Sequence, residues 1–281
     1  MRTLLIPTDF SENAGNALYY AIELAKRESA KIILIHAFTI DYVNVFSPES
    51  ELAETKRQSD NELQKLSIRI AHAEGIDFEY ESIEGSAVKA ILNSIKDRVI
   101  DLVIMGTKGE SNFANVIFGS TTSKVIAKAD CPVIAVPEGA SFEPIKKITY
   151  ATDYKLGDIF ALKKVLEIAK PYHAQINVLH ISSEAESALT ERTLMEKFMK
   201  KVTSQIDYFN LSFQMLHGDK VEEELWNYIN SGSADLIVMS THHYTLFERA
   251  FGKSVTNKIA DRTVIPLMVF HFNKKLSAML F

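Results

Sequence analysis

The chain has 281 residues, 47% hydrophobic and 24% charged, a length and composition that suit one large or two ordinary soluble globular domains. A net charge of −5 with no basic block excludes nucleic acid as an expected partner, and no run reaches the roughly 20 apolar residues of a membrane span. Cys131 is the one cysteine, so no internal disulfide forms; with too short an apolar start for a signal peptide, the expected location is the cytoplasm.

In chain order, residues 3–7 form an apolar strand that ends at Thr8-Asp9. An amphipathic helix is expected over 13–28, carrying Ala17, Leu18, Ala21, Ile22, Leu24 and Ala25 on its apolar face, with Ser11 as its N-cap. A strand over 31–37 follows, then a charged helix over 48–74, an alternating strand around 78–80 and a short helix over 86–98. Leu102-Val103-Ile104-Met105 reads as a buried parallel strand, Gly106 to Gly119-Ser120 as a glycine loop, and Ser120 onward as a short helix before a last strand over 133–136. Cys131, before Pro132 at the head of that run, reads as a buried and inert thiol.

The pattern then repeats. Thr152-Asp153 ends an apolar run as Thr8-Asp9 does, and Ile176 to His180 echoes Ile32 to His36; both pairs lie 144 positions apart. Leu236 to Met239 echoes Leu102 to Met105 at a separation of 134, so the second copy is about ten residues shorter between its second and fourth strands. A repeat of this length means two homologous domains, expected at 1–138 and 145–281, joined near Glu138-Gly139-Ala140-Ser141. Strands alternating with helices require a parallel sheet covered on both faces, so each half is expected to be a five-stranded α/β domain.

Ligands of such open sheets sit beyond the carboxyl ends of the strands, where the winding reverses. Asp9 follows strand one and the glycine loop follows strand four, so both fall at that end. Glycine permits positive φ and close approach of a ligand to peptide N–H groups, while a helix start favours a phosphate. If strands one and four are neighbours, they frame one crevice.

Pro7-Thr8-Asp9-Phe10-Ser11, together with Gly106-x2-Gly109-x9-Gly119-Ser120, resembles the ATP-binding type of the universal stress protein family. The whole chain resembles a tandem two-domain member, with Rossmann-like domains of the adenine nucleotide alpha hydrolase type. The resemblance implies that Gly106, Gly109, Gly119 and Ser120 hold phosphates. It places Asp9 by the ribose and phosphates and gives the reading of adenine to the backbone at Ala37. Thr8, Met105 and Thr121 flank these positions, and Lys108 is placed to screen a distal phosphate. Asp9 would repel a bare triphosphate, so it needs ribose hydroxyls or a bridging Mg²⁺ or Mn²⁺. The implied function is regulatory binding of ATP in a stress response. A slow ATPase or phosphotransferase, and an interaction module that uses no nucleotide, are the alternatives. A family habit of pairing through last strands suggests that residues 133–136 join residues 266–269 within the chain, with a homodimer as a further expectation.

The second half departs from the pattern. Ser240 and His243 stand where Gly106 and Gly109 stand, and Lys253 replaces Ser120 after Gly252. Side chains at both former glycines would intrude on a phosphate chain, so this half is expected to bind ATP poorly. Gly252-Lys253-Ser254 is not a P-loop, because Phe247 occupies the position that needs glycine. His242-His243, with Asp153 at a neighbouring strand end, reads either as a metal pair or as exposed loop residues, and their adjacency favours the second. His36 and His180 are expected to form hydrogen bonds at the crevice rims. No G-x-S-x-G elbow occurs, and no base is evident to activate water, so any hydrolysis is expected to be slow.

Overall fold

The computed structural model describes residues 2–43, 47–107, 119–182, 188–218, 220–240 and 265–271. Its contacts divide the chain into two units, Met1–Phe142 and Glu143–Phe281.

The first unit begins with β1 (Thr3–Thr8), whose Leu4, Leu5 and Ile6 are fully buried. Burial on successive residues means that both faces of the strand are covered, as in a parallel sheet between helices. Helix α1 (Glu12–Glu28) buries the predicted stripe from Ala17 to Ala25 and ends at Ser29, which takes a left-handed conformation. Strand β2 (Lys31–Phe38), helix α2 (Pro48–Glu74), strand β3 (Phe78–Glu84) and helix α3 (Ala87–Asp97) follow. Strand β4 (Leu102–Gly106), the seven-residue helix α4 (Ser120–Ile126) and strand β5 (Val133–Val136) complete it. The strand order is β3-β2-β1-β4-β5, with every described pairing in this unit parallel. The winding therefore reverses between β1 and β4. The outer strand β3 carries Glu79 and Glu81, which pair with Lys31 and Arg98. Charge on an edge strand discourages pairing with other chains.

The second unit repeats the plan with β6 (Lys147–Ala151), α5 (Leu156–Tyr172), β7 (Gln175–Ser182), α6 (Ala188–Thr203), β8 (Leu211–His217), α7 (Val221–Asn230), β9 (Leu236–Ser240) and β10 (Leu267–Phe270). Its order is β10-β9-β6-β7-β8, again with parallel pairings, so β6 and β9 flank the reversal. Helix α6 has 16 residues where α2 has 27, which accounts for the shorter second copy.

Candidate functional site

The reversal point of the first unit brings the two sequence signals together. Leu4 and Leu5 pair with Leu102 and Val103, so Asp9 and Gly106 leave the sheet side by side at its carboxyl edge. Thr8, the last residue of β1, is buried, and its Oγ1 accepts from the Phe10 N–H at 3.0 Å. Asp9 Oδ1 accepts from the Ser11 N–H at 3.1 Å and the Ser11 hydroxyl at 2.6 Å. Ser11 Oγ in turn accepts from the Ala14 N–H at 3.2 Å, which makes Ser11 the N-cap of α1 as its type predicts. One turn thus fixes the acidic side chain and starts the helix.

At this edge neither Gly106 nor Gly119 has positive φ, a correction to the expectation that these glycines serve a left-handed turn; Gly106 acts through size. Gly119 has φ −55°, and Gly106 is not among the positive-φ residues. A Cβ on Gly106 would lie 3.0 Å from Asn13 Cγ and 3.2 Å from the Asn13 carbonyl oxygen. Glycine there lets the end of β4 press against the first turn of α1. The far end of the loop is tied to the same place. The Gly119 N–H donates to the Thr107 carbonyl at 2.5 Å, and Thr122 Oγ1 donates to the Gly106 carbonyl at 2.8 Å. Ser120 is exposed, Thr121 is half-buried, and Met105 is buried in β4. Ala37 is half-buried near the end of β2. Lys108 and Gly109 lie outside the described residues.

Phe10 sits at φ 63°, a left-handed conformation that costs a non-glycine residue about 1 kcal/mol. Its N–H bond to Thr8 and the packing of its ring on the His36 imidazole, 4.5 Å between centroids, hold it there. His36 Nδ1 lies 2.6 Å from Ser59 Oγ, which lies 2.6 Å from Ser82 Oγ. Sequence reading placed His36 at the crevice rim, but Ser59, Ser82, Thr122 and Asn13 carried no signal of their own. They lie far apart in the chain, and their types are common on helices and loops.

At the equivalent place in the second unit, Tyr154 also has positive φ, 59°, and stacks on His180 at 4.2 Å. The chemistry beneath differs. Asp158 is fully buried and accepts from Tyr150 OH at 2.9 Å, Thr152 Oγ1 at 2.6 Å, Ser240 Oγ at 3.0 Å and the Lys155 N–H at 3.1 Å. Burial, then the Asp158 charge, pushes the Tyr150 phenol well up, which keeps it a proton donor. Ser240 does not stand out into the crevice as its sequence position suggested; it is 1% exposed and turned onto Asp158.

His180 Nδ1 lies 2.7 Å from the Thr152 carbonyl, which can only accept, so Nδ1 carries a proton. Nε2 faces the buried Glu191 carboxylate at 2.9 Å, within ion-pair distance but off the line of a hydrogen bond. Burial first, then Glu191 and Asp153, raises the Tyr154 phenol. His242, His243, Gly252 and Lys253 lie outside the described residues. Among the described residues, no group of three or more His, Cys, Asp or Glu is placed to hold a metal, and no helix is long and apolar enough to cross a membrane.

A parallel, doubly wound sheet covered by helices is a Rossmann-like α/β domain, here in two copies, and in the first copy Asp9 and Gly106 stand at its reversal. Residues 1–137 and 144–271 each match the model of the Universal stress protein family, and the chain belongs to that family. It is 27% identical over 138 residues to Universal stress protein MJ0531 of Methanocaldococcus jannaschii, an alignment covering 48% of this chain and 81% of that protein. Universal stress protein MJ0577 of the same organism is 28% identical over 152 residues, covering 48% of this chain and 94% of its own. The solved structure of a universal stress protein from Archaeoglobus fulgidus matches with a TM-score of 0.70 at 16% identity. That match covers 96% of this chain and 98% of the other, and it shows a shared fold.

Proposed function

We propose that this universal stress protein binds ATP in the crevice of its first unit as a regulatory ligand. The observation that carries the reading is the convergence of Asp9, Gly106, Gly119 and Ser120 on the carboxyl edge where β1 and β4 part. Gly106 lets the end of β4 press against the first turn of α1, which keeps Asp9 and β4 close, and Gly119-Ser120 starts a helix whose first N–H groups would meet phosphate oxygens. The end of β2, at Ala37, lies on the other side of β1, where the adenine would meet peptide groups.

Asp9 supplies one carboxylate, which is what Mg²⁺ takes beside phosphate oxygens. Mg²⁺ bound there would neutralise charge between Asp9 and the triphosphate, and Ser11 would hold the carboxylate in its present orientation. Regulation is favoured over turnover because His36, the described imidazole at this rim, is hydrogen-bonded to Ser59 and packed under Phe10. It is not placed as a base for water.

Calorimetric titration of ATP against the wild-type chain and Gly119→Val tests the reading. Gly119 has an extended backbone, φ −55° and ψ 159°, that valine also adopts, and a far-ultraviolet circular dichroism spectrum equal to wild type separates loss of binding from loss of fold. An affinity lost by about a hundredfold or more is expected, equivalent to roughly 2.8 kcal/mol. Equal affinities would remove the loop from the explanation.

A further inference from the structure

The two crevices differ by a set of exchanges that fit one another. By the 144- and 134-residue repeats, Tyr150 replaces Ile6, Asp158 replaces Ala14, and Ser240 replaces Gly106. Gly157 stands where Asn13 stands, so the close pair Asn13 and Gly106 has become Gly157 and Ser240, with bulk moved from the helix to the strand. Into the reshaped space the second unit has placed a carboxylate.

Asp158 lies in the first turn of α5, and its carboxylate consumes four donors at the carboxyl edge of β6 and β9: the hydroxyls of Tyr150, Thr152 and Ser240, and the Lys155 N–H. In the first unit the carboxylate at the corresponding turn comes from the loop instead: Asp9, half-buried, accepts from the Ser11 N–H that matches the Lys155 N–H. Ala14 occupies the position of Asp158, and the helix is capped by a neutral hydroxyl from Ser11. We infer that Asp158 is the residue that sets the second crevice against phosphate: it is a built-in anion at the carboxyl edge of β6 and β9 that takes up the donors there and at the N-cap of α5.

Both elements of the exclusion are physical. A phosphate approaching β6 and β9 meets a buried negative charge that no described cationic side chain neutralises. It also finds the Tyr150, Thr152 and Ser240 hydroxyls and the Lys155 N–H already bonded to Asp158, so recruiting any of them requires breaking a bond to a charged acceptor, which is a strong one. The network further ties β6, β9 and α5 together, so this edge is held without a ligand. The inference stands apart from whether the first crevice takes ATP.

Two measurements on the full chain test it. In the Gly119→Val background, equilibrium dialysis with inorganic pyrophosphate and with ATP should show no binding. Adding Asp158→Asn, which keeps the shape and removes the charge, should raise pyrophosphate affinity by about tenfold or more. Binding of two ATP per wild-type chain with Asp158 intact, or no gain of pyrophosphate binding in Asp158→Asn, would overturn the inference.

Hydrogen exchange supplies the second arm and needs no ligand. Asp158→Ala should speed exchange in a peptide spanning 150–160 by about tenfold or more, and Ser240→Ala by less, with a peptide from 2–14 unchanged. Unaltered exchange in both variants would also overturn it. A wild-type chain that binds no ATP, combined with the expected exchange pattern and pyrophosphate gain, would sink the proposal for the first crevice while supporting this one.

Discussion

The two units share a fold, a strand order and even a strained aromatic after the first strand, yet their carboxyl edges are built on opposite principles. The first edge is kept spare: Gly106 against Asn13, Asp9 turned onto Ser11, and a loop whose ends are pinned by Thr107 and Thr122. The second carries a buried carboxylate, Asp158, that four donors satisfy, with the Glu191 carboxylate facing His180 at ion-pair distance. The lesson is that a duplicated α/β domain can keep its scaffold while exchanging the polar groups at its carboxyl edge. Strand pairing sets the scaffold, whereas a handful of side chains at strand ends sets the edge.

The comparison breaks first at Asp158. Asp158→Ala leaves the Tyr150, Thr152 and Ser240 hydroxyls without their shared acceptor, at an expected cost of about 3–5 kcal/mol. Urea unfolding followed by a probe in the second unit measures it. A loss below about 1 kcal/mol would mean that the network contributes little beyond what water supplies.

A second contrast lies at the head of the last strand, where Cys131 stands in the first unit and Ile265 in the second. Burial, with Asp130 and Asp101 nearby, pushes the Cys131 thiol up to about 12 from its ordinary 9.0. A raised value leaves the group protonated below it, so at pH 8 the folded thiolate fraction falls about a thousandfold. Labelling by a maleimide at pH 8 should be slower in the folded chain than in urea by about that factor. Comparable rates would show that Cys131 is a reactive group rather than a small apolar filler.

The Asn13–Gly106 exchange offers a direct graft. Gly106→Ser alone puts Cβ 3.0 Å from Asn13 Cγ and should cost about 1–3 kcal/mol by overpacking. Adding Asn13→Gly, which reproduces the pair of the second unit, should recover part of that loss despite the extra glycine in α1. A double variant less stable than the sum of the two singles would argue that the exchanges do not compensate. The smallest effect is expected from Ser59→Ala, which cuts the His36–Ser59–Ser82 chain for about 1 kcal/mol. Thermal unfolding resolves it.

Much of the scaffold was legible because its signals are local. Apolar runs such as Ile32 to Ile35 and Leu102 to Met105 mark strands buried on both faces, and Ala17 to Ala25 marks the buried stripe of α1. The repeat made the second unit readable from the first. The candidate edge was legible where it depends on spacing along the chain, from Gly106 to Gly119-Ser120, and where strand order could be anticipated from Asp9.

The second edge was not legible, and the reason is physical. Tyr150, Thr152, Asp158 and Ser240 converge only after β6 and β9 pair, and an aspartate in the first turn of a helix looks like an ordinary response to the helix dipole. Nor did the chain announce left-handed backbone at Phe10 and Tyr154, since neither is a residue type that favours it. The hydroxyls of Thr8 and Thr152, which hold the Phe10 and Tyr154 N–H groups, explain both.

The most direct test of the proposal that the first edge takes a nucleotide and the second does not is to count nucleotides by native mass spectrometry of the full chain in ATP and Mg²⁺. One adenine nucleotide per chain, absent from Gly119→Val, is the expected result. Two per chain, or one that survives Gly119→Val, would contradict it.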